Sequence, residues 1–325
     1  MMRPASRELF WLGLLATLLL PAVVFGQPQA DTCSTCHLAL GVENLTKPAE
    51  NYKQDIHAAK GFGCVVCHGG DATISGMEAM DRAKGYIGKP TPAQIIQVCG
   101  RCHADANFMR RYNPSLRVDQ VTEYSTSVHG RRLKEQNDYK VATCASCHKP
   151  HSIRPANDAR SSVHPTRVAD TCGSCHANAE YMASYKIPTD QMGKYKKSIH
   201  RKIMIEKGDL SAPTCNDCHG NHGAAPPGIS WVGNVCGQCH PVNAALFNKS
   251  RHGKVFVQMG IPGCASCHSN HEILATSDAM LGVGDKAVCA GCHAAQDRGG
   301  TTATAMRQSV EQLRGDYEKA HALLT

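Results

Sequence analysis

A chain of 325 residues with only 5% aromatics is too poor in large apolar side chains to build an ordinary core at this length. Its 18 cysteines suit a disulfide scaffold or a cofactor protein, and its formal charge of +8 suggests nucleic acid or anionic membrane as partners. Aliphatic runs long enough to span a bilayer are absent after residue 26, which excludes a polytopic membrane protein.

The chain opens MMRPASRELFWLGLLATLLLPAVVFG. Arg3 and Arg7 precede an apolar run from Leu9 to Phe25, and Val24 and Gly26 fit a cleavage site before Gln27. Residues 1–26 therefore read as a signal peptide, with an uncleaved membrane anchor as the alternative. The expected location is outside the cytoplasm: the periplasm first, then the outer membrane or the cell exterior.

From residue 27 onward every cysteine belongs to one pattern, C-x-x-C-H. It occurs at Cys33, Cys36 and His37; Cys64, Cys67 and His68; Cys99, Cys102 and His103. It recurs at Cys144, Cys147 and His148; Cys172, Cys175 and His176; Cys215, Cys218 and His219. The last three copies are Cys236, Cys239 and His240; Cys264, Cys267 and His268; Cys289, Cys292 and His293. Histidine makes up 18 of 325 residues, so chance would put one after a given cysteine about once in 18 trials; here all nine motifs have it. Two thiols on one helical turn can add across the vinyl groups of one haem while the next residue turns its imidazole to the iron. The motif therefore reads as c-type haem attachment with a proximal histidine. Zinc has no need of an adjacent histidine every time, and bridging within each C-x-x-C would close only small loops. Nine covalently attached haems c are expected, and their porphyrins supply the missing apolar interior.

The motifs alternate in flavour. One flavour follows a Ser-x-His or similar element, as in SVHGRRLKEQNDYKVATCASCH, and three of its four copies extend to C-H-x-x-H: CHKPH, CHGNH and CHSNH. The other is the VCGRCHA type, with TCSTCHL opening the series. Four doubled units run from about 33 to 98, 99 to 171, 172 to 235 and 236 to 288, and a ninth motif closes the array. Short helical turns are expected at the motifs, with Gly- and Pro-rich loops such as GAAPPG between them. The fold class is mainly α with much irregular loop, short helices wrapped around closely packed haems, and little or no sheet.

Nine further histidines equal the haems in number. His57, His129, His200 and His252 lie 7 to 15 residues before a motif, and His151, His222 and His271 stand three places after a proximal histidine. These seven are candidate second axial ligands. The second histidine of CHKPH cannot easily reach the far face of its own haem, so a neighbour's is expected. His164 and His321 lack counterparts in the other units and are weaker candidates. Asp71 stands where C-H-x-x-H would place a histidine in the first unit, so one haem is either completed from elsewhere or left open. The methionines recur at no fixed offset from a motif, and packing against porphyrin suits them better than ligation.

A ferric haem with two neutral imidazoles and two ionised propionates carries about −1. Nine of them roughly cancel the basic polypeptide, so its charge is no argument for nucleic acid. After a cytochrome domain over 27–300, residues 301–325 read as an amphipathic helix with Met306, Val310, Leu313, Tyr317 and Leu324 near one face. It would cover the last haem or serve docking, and it stops without a C-cap signal, as though the helix continued in a longer form.

The units written S-x-H-G … C-x-x-C-H-x-x-H … C-G-x-C-H resemble those of exported multihaem c-type cytochromes with doubled motifs. They are similar to the periplasmic decahaem cytochromes that feed outer-membrane conduits and to other cytochromes of metal-reducing bacteria. The resemblance covers about residues 31 to 293. It implies long-range electron transfer, mostly with two histidines on each iron, in anaerobic respiration. The implied partners are a quinol oxidase or periplasmic donor on one side and a terminal reductase or outer-membrane cytochrome complex on the other. Such a carrier needs no separate catalytic residues. The rivals are a multihaem nitrite, hydroxylamine or tetrathionate enzyme with one open haem, and a membrane-anchored quinol-oxidising cytochrome. The oligomeric state is not legible.

Overall fold

The computed structural model describes residues 31–227 and 229–324. The expected signal peptide at 1–26 lies outside them. Among the described residues all regular structure is helical, mostly in short pieces, with no strand. None of these helices is long and apolar enough to cross a membrane.

The alternation of motif flavours becomes an alternation of helix types. The motifs that follow Ser-x-His sit on single turns: Val65–His68, Cys144–His148, Cys215–His219 and Ala265–His268. Thr143 and Thr214 start two of these with reciprocal caps, their backbone N–H groups donating to Ser146 Oγ at 3.0 Å and Asp217 Oδ2 at 2.7 Å. The other flavour ends longer helices, Pro92–His103, Pro165–His176 and Ile229–Cys239, two of them with a proline in the first turn. The first motif lies in Thr32–Ala39 and the last near the 3-10 turn Val288–Gly291.

A left-handed residue stops every short motif helix immediately after its histidine. Gly69, Lys149, Gly220 and Ser269 have φ of 69°, 50°, 83° and 64°. Glycine is demanded at the first, because a Cβ on Gly69 would run into the Gly85 carbonyl. The reversal throws the x-x-H segment away from its own motif and toward the preceding unit.

Each Ser-x-His element is a helix start. Ser127, Ser198 and Ser250 cap Val128–Gln136, Ile199–Glu206 and Arg251–Met259, their Oγ atoms accepting from Gly130, His200 and Gly253 N–H. Units are then joined by one repeated backbone bond. The N–H before the Ser-x-His histidine donates to the carbonyl two residues after the next unit's C-H-x-x-H: Ile56 to Ile153 at 2.9 Å, Val128 to Ala224 at 3.0 Å and Ile199 to Ile273 at 2.7 Å.

The polypeptide alone encloses little. Its buried apolar residues are mostly alanine and methionine, with Leu133 and Tyr195 the largest exceptions. At the C-terminus, Arg298–Ala322 is one helix, held to the 278–280 turn by Arg307 donating to the Asp278 carbonyl at 3.1 Å and by Arg314 paired with the Asp278 carboxylate. Its expected apolar stripe faces outward, with Leu313 and Tyr317 both about 70% exposed.

Candidate haem-ligand array

The motif cysteines form no disulfides and meet across motif boundaries in a regular alternation. First cysteines bring together motifs three and four through hydrogen-bonded Cys99 and Cys144, and motifs five and six through Cys172 and Cys215. Motifs seven and eight meet in the same way through Cys236 and Cys264. At motifs one and two, Asp31 ties the helices together, accepting from Cys33 N–H at 3.1 Å and from the Cys64 thiol at 3.1 Å. Second cysteines supply the intervening steps. Cys67 lies within electrostatic range of Cys102, Cys147 of Cys175, Cys218 of Cys239, and Cys267 of Cys289 and Cys292. Each motif thus lies within interaction range of the next, in sequence order, from first to last.

The histidines come together in facing pairs. A metal–imidazole bond is about 2 Å long and the ring centre lies about 1 Å behind the nitrogen, so two rings across one metal stand about 6 Å apart. Four Ser-x-His-type histidines face the second motif downstream, which opens the next unit or closes the array: His57–His103 at 6.0 Å, His129–His176 at 6.0 Å, His200–His240 at 6.4 Å and His252–His293 at 6.1 Å. The three C-H-x-x-H histidines face back to a motif of the preceding unit: His151–His68 at 5.8 Å, His222–His148 at 6.2 Å and His271–His219 at 6.0 Å. These last three pairs all have ring planes 11° apart, whereas the first four range from 25° to 89°. Among the described residues no cluster of three or more His, Cys, Asp or Glu gathers as a zinc site would require.

The donor set therefore fits haem: a thiol pair beside each proximal imidazole, and a second imidazole at metal-bridging distance in seven places. Two family comparisons agree with it. The family described as cytochrome c3 matches residues 142–241, and the doubled CXXCH motif family matches residues 252–298.

The chain is a multihaem c-type cytochrome.

No curated protein and no solved structure matches it. The cytochrome binds haem c covalently through its C-x-x-C-H motifs, and its function is electron transfer.

In four of the cytochrome's paired histidines the remaining ring nitrogen is held in place. Nδ1 of His68 bonds the Gly88 carbonyl at 2.9 Å and Nδ1 of His219 the Ala225 carbonyl at 3.2 Å. Nδ1 of His57 meets Asp55 Oδ1 at 2.9 Å, and that of His271 meets Asn270 Oδ1 at 3.1 Å. Occupying Nδ1 leaves Nε2 for iron and fixes the ring's direction. Burial, then the charge of the facing histidine, pushes His129, His151, His200 and His271 below the ordinary imidazole range. His103, His148 and His176 are lowered too, also chiefly by burial. Neutral imidazole is the form that binds metal.

Before haem attachment the paired thiols perturb one another. The hydrogen bond from Cys172 pulls Cys215 down to about 7 and pushes Cys172 up. Attachment converts these sulfurs to thioethers, which carry no proton.

His164 caps the helix Pro165–His176, its Nδ1 2.8 Å from Thr166 Oγ1, and is only 7% exposed. His321 lies in the last turn of the C-terminal helix with its ring 6.0 Å from Tyr317. His37 and His268 are not among the seven facing pairs. One residue that sequence reasoning passed over is Asp55, 2% exposed, which takes the place of the capping serine in the first unit. It accepts from His57 N–H at 2.9 Å and from Ile153 N–H of the next unit at 2.7 Å. The D-x-H spelling in place of S-x-H was the available signal.

Proposed function

We propose that this cytochrome carries nine haems c in a single path that follows sequence order, and that it relays electrons between a membrane or periplasmic donor and a terminal reductase or outer-membrane acceptor. The observation that carries this reading is the alternating approach of first and then second cysteines, with Asp31 joining the first two motifs, which keeps each motif within interaction range of the next. The seven facing histidine pairs support two-imidazole ligation of seven irons. Such ligation is retained in both redox states and keeps reorganisation small. An exported, periplasmic carrier of anaerobic respiration is the setting that suits the leader-like N-terminus.

The path can be tested by injecting electrons at one end. A photosensitiser on Leu45→Cys, an exposed position beside the first motif, reduces the array while the whole haem spectrum is followed. All nine haems should equilibrate. In Cys172→Ser/Cys175→Ser, which lacks the fifth haem, prompt reduction should stop at the four haems before the break. Equally prompt reduction of the four beyond it would refute the sequential path.

A further inference from the structure

We infer that a basic cleft beside the fourth and fifth motifs is a binding site for a small divalent oxyanion of the sulfate type. The cleft encloses about 310 Å³, and Lys149, Arg154, Arg160 and Arg167 share its walls with one carboxylate, Asp170. The inference stands on this cleft alone and does not depend on the order in which the haems exchange electrons.

The floor of the cleft belongs to the motifs. Ser162 Oγ donates to the Cys147 carbonyl, and Thr171 Oγ1 donates to the Ser162 carbonyl at 2.7 Å. These bonds hold the loop that follows motif four against the helix Pro165–His176, and the concavity lies between the two.

The repeat shows that the cations are particular to this place. The residue after the proximal histidine is Lys149 here but Gly69, Gly220 and Ser269 in the corresponding motifs. Six places after that histidine stands Arg154, against Ile74, Ala225 and Leu274. Five places before the next motif stands Arg167, against Gln94, Trp231 and Gly284. Three positions that are neutral elsewhere are thus cationic in one unit, and they come from two elements that meet at one cleft. Every unit holds motifs, so a demand of the haem itself would have charged the other units too. Haem propionates, moreover, leave the porphyrin on the edge opposite the vinyl groups that the cysteines capture, whereas this cleft adjoins the cysteines.

The fold answers only part of this charge. Asp158 pairs with Arg160 at 2.8 Å and with Arg154 at 3.4 Å, and Arg154 also donates to Gln54 Oε1 at 2.5 Å. Arg167 spends its Nε on the Ala159 carbonyl at 2.6 Å. These bonds fix guanidinium groups in place before any ligand arrives. Four cations face two carboxylates, Asp158 and Asp170, and the two positive charges left over match a dianion. Guanidinium forks suit the paired oxygens of such an ion. A concavity of this size admits it and excludes a folded partner.

The test is isothermal titration calorimetry of the haem-loaded protein with sodium sulfate, at an ionic strength held constant with sodium chloride. One sulfate should bind per chain. Lys149→Gln/Arg167→Gln, both at exposed positions, should weaken it about tenfold or more. Asp170→Asn removes the opposing carboxylate and should tighten it, a gain that damage to the fold could not produce. The inference is overturned by wild-type protein that takes up no sulfate or by a double variant that binds it as wild type does. An Asp170→Asn protein that binds no more tightly overturns it equally.

Discussion

The ring of His151, from the fourth motif, stands 5.8 Å from that of His68, in the second, with the two planes 11° apart. Its own motif's histidine, His148, faces His222 instead. The interlock arises because Lys149 is left-handed and turns the chain away from its own haem, while Ile153 bonds Ile56 of the preceding unit. The pairing of histidines and the packing of unit on unit are therefore one interaction.

Replacing His151 with alanine should accordingly convert one iron from low-spin to high-spin, and that iron is the one beside Cys64 and Cys67. Integration of the ferric EPR signals checks the number. Repeating the substitution in Cys64→Ser/Cys67→Ser checks the address, since the added high-spin signal should vanish there.

Ring orientation should be visible in the same spectra. The parallel pairs of His68, His148 and His219 with their partners are expected to give ordinary rhombic low-spin signals. His57–His103 at 89° and His252–His293 at 70° should give the large-gmax type that crossed imidazole planes produce. His57→Ala and His252→Ala should each delete one large-gmax component.

Asp55→Asn should raise the reduction potential of the haem on His103. A carboxylate at Nδ1 gives His57 more electron-donating character, which favours ferric iron, and an amide does not. The same change weakens the bonds to His57 and Ile153 N–H and should cost about 1–3 kcal/mol of stability. Redox titration of the variant against wild type reads the first effect and urea unfolding the second.

Ser127 is fully buried, accepts from Gly130 N–H at 2.9 Å and donates to the Tyr124 carbonyl at 2.6 Å. Ser127→Ala removes a helix cap in a closed site, with an expected loss of about 1–2 kcal/mol. The urea midpoint should fall while the haem count stays the same.

Away from the haems, pH acts through Asp138 and Tyr185. Burial and then the hydrogen bond to Asp138 push Tyr185 up to about 12 from its usual 10. Its protonated form is favoured by folding, so this contribution is complete below pH 10 and is lost as pH rises toward 12. Burial opposes but does not outweigh the bonds from Arg132 and Tyr185 that lower Asp138. Its contribution is present above the ordinary value of 3.8 and is lost as pH falls below it. Thermal unfolding across both ranges should show two limbs, and Asp138→Asn should flatten the acid one.

Much of this arrangement was legible in the sequence because covalent haem chemistry is written locally. C-x-x-C-H, Ser-x-His and C-H-x-x-H are short spellings, and each marks a helix end or start in the structure. The partner of each imidazole was not legible, because choosing between a neighbour's haem and another unit's depends on left-handed turns at Lys149 and Ser269 that no spelling announces. Asp55 escaped notice because it replaces a capping serine while also bonding a histidine and the next unit. His164 shows the converse. A histidine with no counterpart in the other units caps a helix, a role its local sequence SSVHPT permits through the following proline.

The most direct measurement is a crystal structure of the haem-loaded protein at a resolution that defines axial ligands. The account predicts His151 Nε2 on the iron of the haem attached to Cys64 and Cys67, and His222 and His271 in the same relation to the haems of the fourth and sixth motifs. His151 bound to the haem of its own motif, or to none, would contradict it.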